Sequence, residues 1–172
     1  MDWTNQLALP DGLITICPTS LCSMGIYVDA PGSFTWMTAN RAVYVPFRIS
    51  RTILVKNMFI FNGATISGNV DLGIYDKDGT RLVSTGSTAQ AGASSVQTIA
   101  VVNTPIGPGL FYMALAINNT TATVYLWNLA NYRSKCFGLA MQAAVFPLPV
   151  IATFATYSDY LYLYGLTARS FV

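Results

Sequence analysis

Apolar residues in this chain recur in short runs rich in β-branched and aromatic side chains, and Gly, Pro, Asn or Asp breaks each run. No stretch sustains the i, i+3, i+4 row of an amphipathic helix. Period-two alternation is clear in several places. Asn69–Tyr75 places Val70, Leu72 and Ile74 on one face, and Tyr160–Leu166 separates Tyr160, Tyr162 and Tyr164 from Leu161 and Leu163. Such patterning, with turn signals about every 8–12 residues, specifies an all-β sandwich or barrel. We expect a single antiparallel β-sandwich, jelly-roll-like, of roughly eight to ten strands.

The expected strands follow the turn chemistry. Leu13–Cys17 and Cys22–Val28 are short early candidates, and Pro31-Gly32 marks a turn. Arg41–Phe47 alternates, and Pro46 within it suggests an edge position or a bulge. Thr52–Asn62 ends at Asn62-Gly63. Asn69–Tyr75 and Thr80–Ser84 flank Asp76-Lys77-Asp78-Gly79, which reads as a hairpin: Asp starts the turn and Gly79 supplies a positive φ. Residues 85–95 form a small-residue loop. Val96–Val102, Leu110–Asn118 and Thr123–Leu129 follow, then Phe137–Phe146, Val150–Tyr157 and Tyr160–Leu166. Residues 1–40 carry too little regular pattern to fold alone, so they are expected as an extended N-terminal arm, with the sandwich over 41–172.

Charge is scarce. Of 172 residues, 9% are charged and 53% hydrophobic, against about 25% charged in an ordinary soluble domain. A mixed charged surface cannot be built from this composition, so much of the surface must be neutral polar or covered by partners. The net charge of +2 is scattered, with no cluster denser than Arg48–Arg51. That excludes the phosphate-neutralising stripe of a nucleic-acid binder.

The residues for chemistry are equally few. The chain has no His, and all seven acids are Asp. Without His or Glu, general acid–base and activated-nucleophile arrangements lose most of their members, and no G-x-S-x-G, P-loop or G-x-G-x-x-G motif occurs. We expect no enzyme and no cofactor. The three cysteines, Cys17, Cys22 and Cys136, are too few for a four-ligand zinc site and odd in number for a disulfide framework. Asp76 and Asp78 offer two oxygen ligands where calcium takes about six to eight, so the turn reading is preferred to a metal loop. Met1–Asp11 carries two Asp and no basic residue, unlike a secretory leader. The uncharged run Cys136–Ser158 is long enough to be weighed as a membrane span, but Pro147 and Pro149 break any helix there. It is expected as two strands or extended segments, with no membrane span.

Aromatic residues carry the remaining signal: ten Tyr, nine Phe and three Trp. The Tyr160, Tyr162, Tyr164 stripe is expected at a subunit interface. Trp3, Trp36 and Trp127, in or beside irregular segments, are candidates for contact with a ligand or partner, a host surface glycan among them.

One stretch carries a resemblance. NGATISGNVDLGIYDKDGTRLVSTGSTAQAG (62–92), VQTIAV (96–101) and GPGLFYMALAINNTT (107–121), led by ANRAVYVPFRIS (39–50), resemble β-sandwich modules of structural proteins of tailed bacteriophages and prophages. The order of hairpin, small-residue loop and G-x-G-led strand carries the likeness over about half the chain. The resemblance implies a virion component of decoration, head-fibre or tail type, assembled in the bacterial cytoplasm. Its partners would be other virion proteins and copies of itself, with a trimer expected. It brings no catalytic residues. The competing expectation is a carbohydrate- or host-receptor-binding module of a tail fibre.

Overall fold

The fold is all-β, an antiparallel sandwich, seen in a computed structural model that describes residues 7–8, 13–16, 32–128, 138–155 and 160–170. Fourteen strands are present among them: β1 (Leu7–Ala8), β2 (Leu13–Ile16), β3 (Gly32–Thr35), β4 (Arg41–Ile49), β5 (Ile53–Phe61), β6 (Asn69–Asp76), β7 (Arg81–Ser84), β8 (Thr88–Ala89), β9 (Val96–Ile106), β10 (Gly109–Ile117), β11 (Thr123–Asn128), β12 (Ala140–Gln142), β13 (Tyr160–Tyr162) and β14 (Tyr164–Ser170). They form a sheet ordered β1-β2-β14-β5-β9, a second ordered β12-β4-β10-β6-β7 with β8 beside β6, and a small third sheet β13-β11-β3.

Alternation explains the core. In the second sheet Val43, Val45, Phe47 and Ile49 of β4, Val70, Leu72 and Ile74 of β6, and Phe111, Met113, Leu115 and Ile117 of β10 all point the same way. They meet Ile53, Val55, Met58 and Ile60 of β5 and Tyr164, Leu166 and Ala168 of β14 from the first sheet. The third sheet adds Val124, Leu126, Leu161 and Tyr162, with Trp36 beside them. Burial of this continuous apolar set drives the fold.

The hairpin expected at 76–79 is present. Asp76 Oδ1 accepts the backbone N–H of Asp78 at 2.9 Å and of Thr80 at 2.8 Å, and Gly79 has φ +86°. The small-residue loop after β7 is ordered by buried amides. Asn62 Nδ2 donates to the Ala91 carbonyl at 2.6 Å, and Gln90 Nε2 donates to Asn62 Oδ1 at 3.0 Å. Pro46 takes a local edge position, with β4 bonded there only on the β10 side. It is tolerated because pairing with β12 ends at Tyr44.

Two expectations are corrected. The leader is not a separate arm in its described parts: β2 pairs with β14 from Leu13↔Arg169 to Ile16↔Leu166, and β3 pairs with β11. Their β-branched and apolar residues find open ladder positions on the sandwich, which an independent tail would leave unpaired. Residues 138–155 contain one short strand, β12, and then an extended segment instead of two strands. Pro147 and Pro149 remove the N–H groups that a ladder needs. Cys22–Val28 lies outside the described residues. Among the described residues no helix is long and apolar enough to cross a membrane.

Candidate interaction surface

The two large sheets are covered unequally. The outward face of the second sheet, with Ala42, Tyr44, Tyr75, Ala114 and Ala116, is roofed by residues 138–155, which contribute Ala140, Leu148 and Ala152. Tyr44 meets Tyr75 and Phe154 edge-on at 5.4 and 5.1 Å, and its hydroxyl donates to Gln142 Oε1 at 2.9 Å. The Tyr75 hydroxyl donates to the Pro149 carbonyl at 2.6 Å. Burial pushes both phenols well above the usual tyrosine range. Asp71 on this face accepts the Leu148 N–H at 2.9 Å, and its carboxyl is raised above the ordinary carboxylate range, chiefly by burial. The same roof holds Arg81, whose guanidinium donates to the Leu148 carbonyl.

The first sheet has no such roof among the described residues. Its outward face presents Thr15, Leu54, Lys56, Asn57, Phe59, Phe61 and Thr167, all half-buried, and exposed Thr98, Ala100 and Arg169. The Phe59 ring lies over Gly165, where an added Cβ would come within 2.5 Å of Cζ. Phe61 stacks on Tyr125 at 4.3 Å with planes 10° apart.

A defect runs across this sheet at Lys56. Thr167 pairs with Asn57 and Ala168 with Val55, so Lys56 has no opposite residue on β14. On the other side Asn57 pairs with Ala100 and Val55 with Thr104, which sets Val101, Val102 and Asn103 against Lys56 alone. The bulges change the parity of β5. Ile53 and Val55 point inward before the defect and Met58 and Ile60 after it, so Lys56 and Asn57 both turn outward. Asn57 Nδ2 donates to Thr167 Oγ1 at 3.1 Å. Val102 is thrown out from the edge and is 82% exposed. Between the bulged strands lies an open basin of about 490 Å³ lined by Lys56, Asn57, Ala100, Val101, Asn103 and Arg169. No carboxylate lines it. Among the described residues the acids are Asp71, Asp76 and Asp78, all on β6 or its hairpin in the other sheet.

The residues singled out from sequence fall elsewhere. Tyr162 and Tyr164 are 1% and 0% exposed, so the tyrosine stripe faces the core and offers no broad partner surface; only Tyr160 is half-buried. The stripe is also divided at Leu163: β13 pairs with β11, and β14 with β5 and β2. The Tyr164 hydroxyl crosses the core to donate to the Met113 carbonyl at 2.9 Å. Trp36 is 1% exposed and packs on Tyr162 with ring centroids 4.7 Å apart, so it is a core residue and not a contact for an external ligand. Trp127 lies in β11 opposite Leu161. Trp3, Cys17, Cys22 and Cys136 lie outside the described residues. Asp76 and Asp78 sit at the exposed hairpin, where Lys77 Nζ holds the Asp78 carboxylate at 2.7 Å. Among the described residues no group of three potential metal ligands gathers.

The chain matches no family model, no curated protein and no solved structure.

Proposed function

We propose that this chain is a non-enzymatic structural subunit of a tailed-phage or prophage virion, an accessory protein that oligomerises and docks on the particle. The observation that carries the reading is the edge strand β9. It spans Val96–Ile106 at the margin of the unroofed sheet, carries no charge, and lies in a stretch with no charged residue between Arg81 and Arg133. Soluble monomers usually protect such an edge with charge, proline or bulges. Here Pro105 and the bulge guard only the second half, and Val96–Ala100 lies open. An open, uncharged edge is suited to adding a strand from another subunit.

The likeness over residues 62–121 supports a virion setting, and the low charge supports a surface that assembly covers. The glycan-binding alternative built on tryptophans is weakened by the burial of Trp36. Quantitative mass spectrometry and immunogold labelling of purified particles test the proposal. The expected result is a fixed copy number per particle and a repeated location on head, neck or tail. A protein absent from particles, or a stable monomer of 18.6 kDa by light scattering at micromolar concentration, overturns it.

A further inference from the structure

We infer that the basin at the Lys56 defect is a binding site for an acidic saccharide, recognised through the carboxylate of a hexuronic acid unit. This goes beyond the structural role and does not depend on it.

The basin is made by irregularity, not by the flat run of the sheet. A regular ladder would send Lys56 and Asn57 to opposite faces. The paired bulges put both outward, beside Arg169 on β14 and Asn103 on β9. Four polar residues from three strands line one depression, with Ala100 beside them. Bulges recur where a side chain must be re-aimed toward a ligand.

The chemistry of the lining selects the ligand. Lys56 and Arg169 are cations with no ion-pair partner among the described residues, whose single ion pair is Lys77–Asp78. The Arg guanidinium presents a planar fork that matches a carboxylate, and the Lys ammonium adds a point charge. Asn57 and Asn103 each carry a donor and an acceptor, the pairing that sugar hydroxyls require. Phe59 lies outside the basin, two residues along β5 on the same face, with its ring over Gly165. An acidic peptide would also satisfy the cations and the amides, but a flexible chain loses backbone freedom on binding that a preformed pyranose ring does not; hexaglutamate is the probe that decides between them.

The test is calorimetric titration of the full chain with trigalacturonate, with neutral galactotriose and hexaglutamate as parallel probes. Trigalacturonate is expected to bind with a Kd on the order of a millimolar or below, at least tenfold tighter than either other probe, and to weaken as salt rises. Arg169→Gln and Lys56→Gln should each weaken it about tenfold or more, Arg169→Lys less, and Lys77→Gln not at all. Thermal melts of each variant establish that it is folded. Absence of trigalacturonate binding overturns the inference. So does equal binding of galactotriose or hexaglutamate, or indifference of folded Arg169→Gln.

Discussion

The Asp71 carboxylate accepts the backbone N–H of Leu148 at 2.9 Å across 77 positions of chain, and so pins the roofing segment to the centre of β6. Its other oxygen takes a hydrogen bond from Thr85 Oγ1 at 3.3 Å. Asp71 is fully buried, and burial outweighs these bonds, so its carboxyl is raised in the folded chain. A raised folded-state value means that this group's contribution is fully present below the ordinary carboxylate value near about 4. It is lost as pH rises through the folded value. Stability of the wild type should therefore gain from Asp71 on acidification, and Asp71→Asn should remove that component. Denaturant melts at pH 3.5 and pH 7 check this: the variant should gain on the wild type at pH 7 relative to pH 3.5. Asp71→Ala, which strands the Leu148 N–H, should cost about 1–3 kcal/mol.

Gly165 is closely enclosed on the unroofed face. A Cβ there would strike the Ile16 carbonyl oxygen and the Phe59 ring. The carbonyl belongs to the β2–β14 ladder and cannot retreat without breaking it. Gly165→Ala should destabilise by about 1–3 kcal/mol through overpacking. The double variant Gly165→Ala with Phe59→Ala relieves only the ring contact, so thermal denaturation should show partial rescue.

The β6–β7 turn should behave as a turn and not as a calcium loop. Asp76 Oδ1 is already occupied by two backbone N–H groups, and the Asp78 carboxylate is held by Lys77. Millimolar calcium is expected to leave the melting temperature unchanged. Asp76→Ala should cost about 0.5–1.5 kcal/mol per the lost bonds. Gly79→Ala should cost more, because φ is +86° and the new Cβ would stand 2.7 Å from the Ala152 carbonyl.

What was legible in the sequence is what local chemistry decides. The Asp76–Gly79 hairpin and the inward Val70, Leu72, Ile74 row need only turn residues and a period of two. Trp36 and Tyr162 are buried by the third sheet and Tyr164 by the facing of the two large sheets, where its hydroxyl meets Met113; both are long-range arrangements that composition does not encode. The sequence does carry a sign of the basin. Across Ile53, Val55, Met58 and Ile60 the apolar alternation slips by one residue at Lys56-Asn57, which is how a bulge looks in sequence. Lys56 and Arg169 meet only through strands over a hundred residues apart, and no spacing rule reaches that far.

The open half of β9 makes the last prediction. Thr98 and Ala100 face outward there, and Val96 and Val102 are 57% and 82% exposed. If subunits associate by strand addition at this edge, a cation introduced on it must be desolvated or held against the incoming chain, which disfavours pairing. Thr98→Lys touches no core residue, so its effect on the unfolding of the isolated chain should stay within about 0.5 kcal/mol. Association measured by sedimentation should fall at least tenfold, a loss of about 1.4 kcal/mol. Val102→Lys, at the bulge where the edge already turns away, should weaken association less. Equal association of wild type and Thr98→Lys would place the subunit contact elsewhere and leave β9 as an edge that this protein does not use.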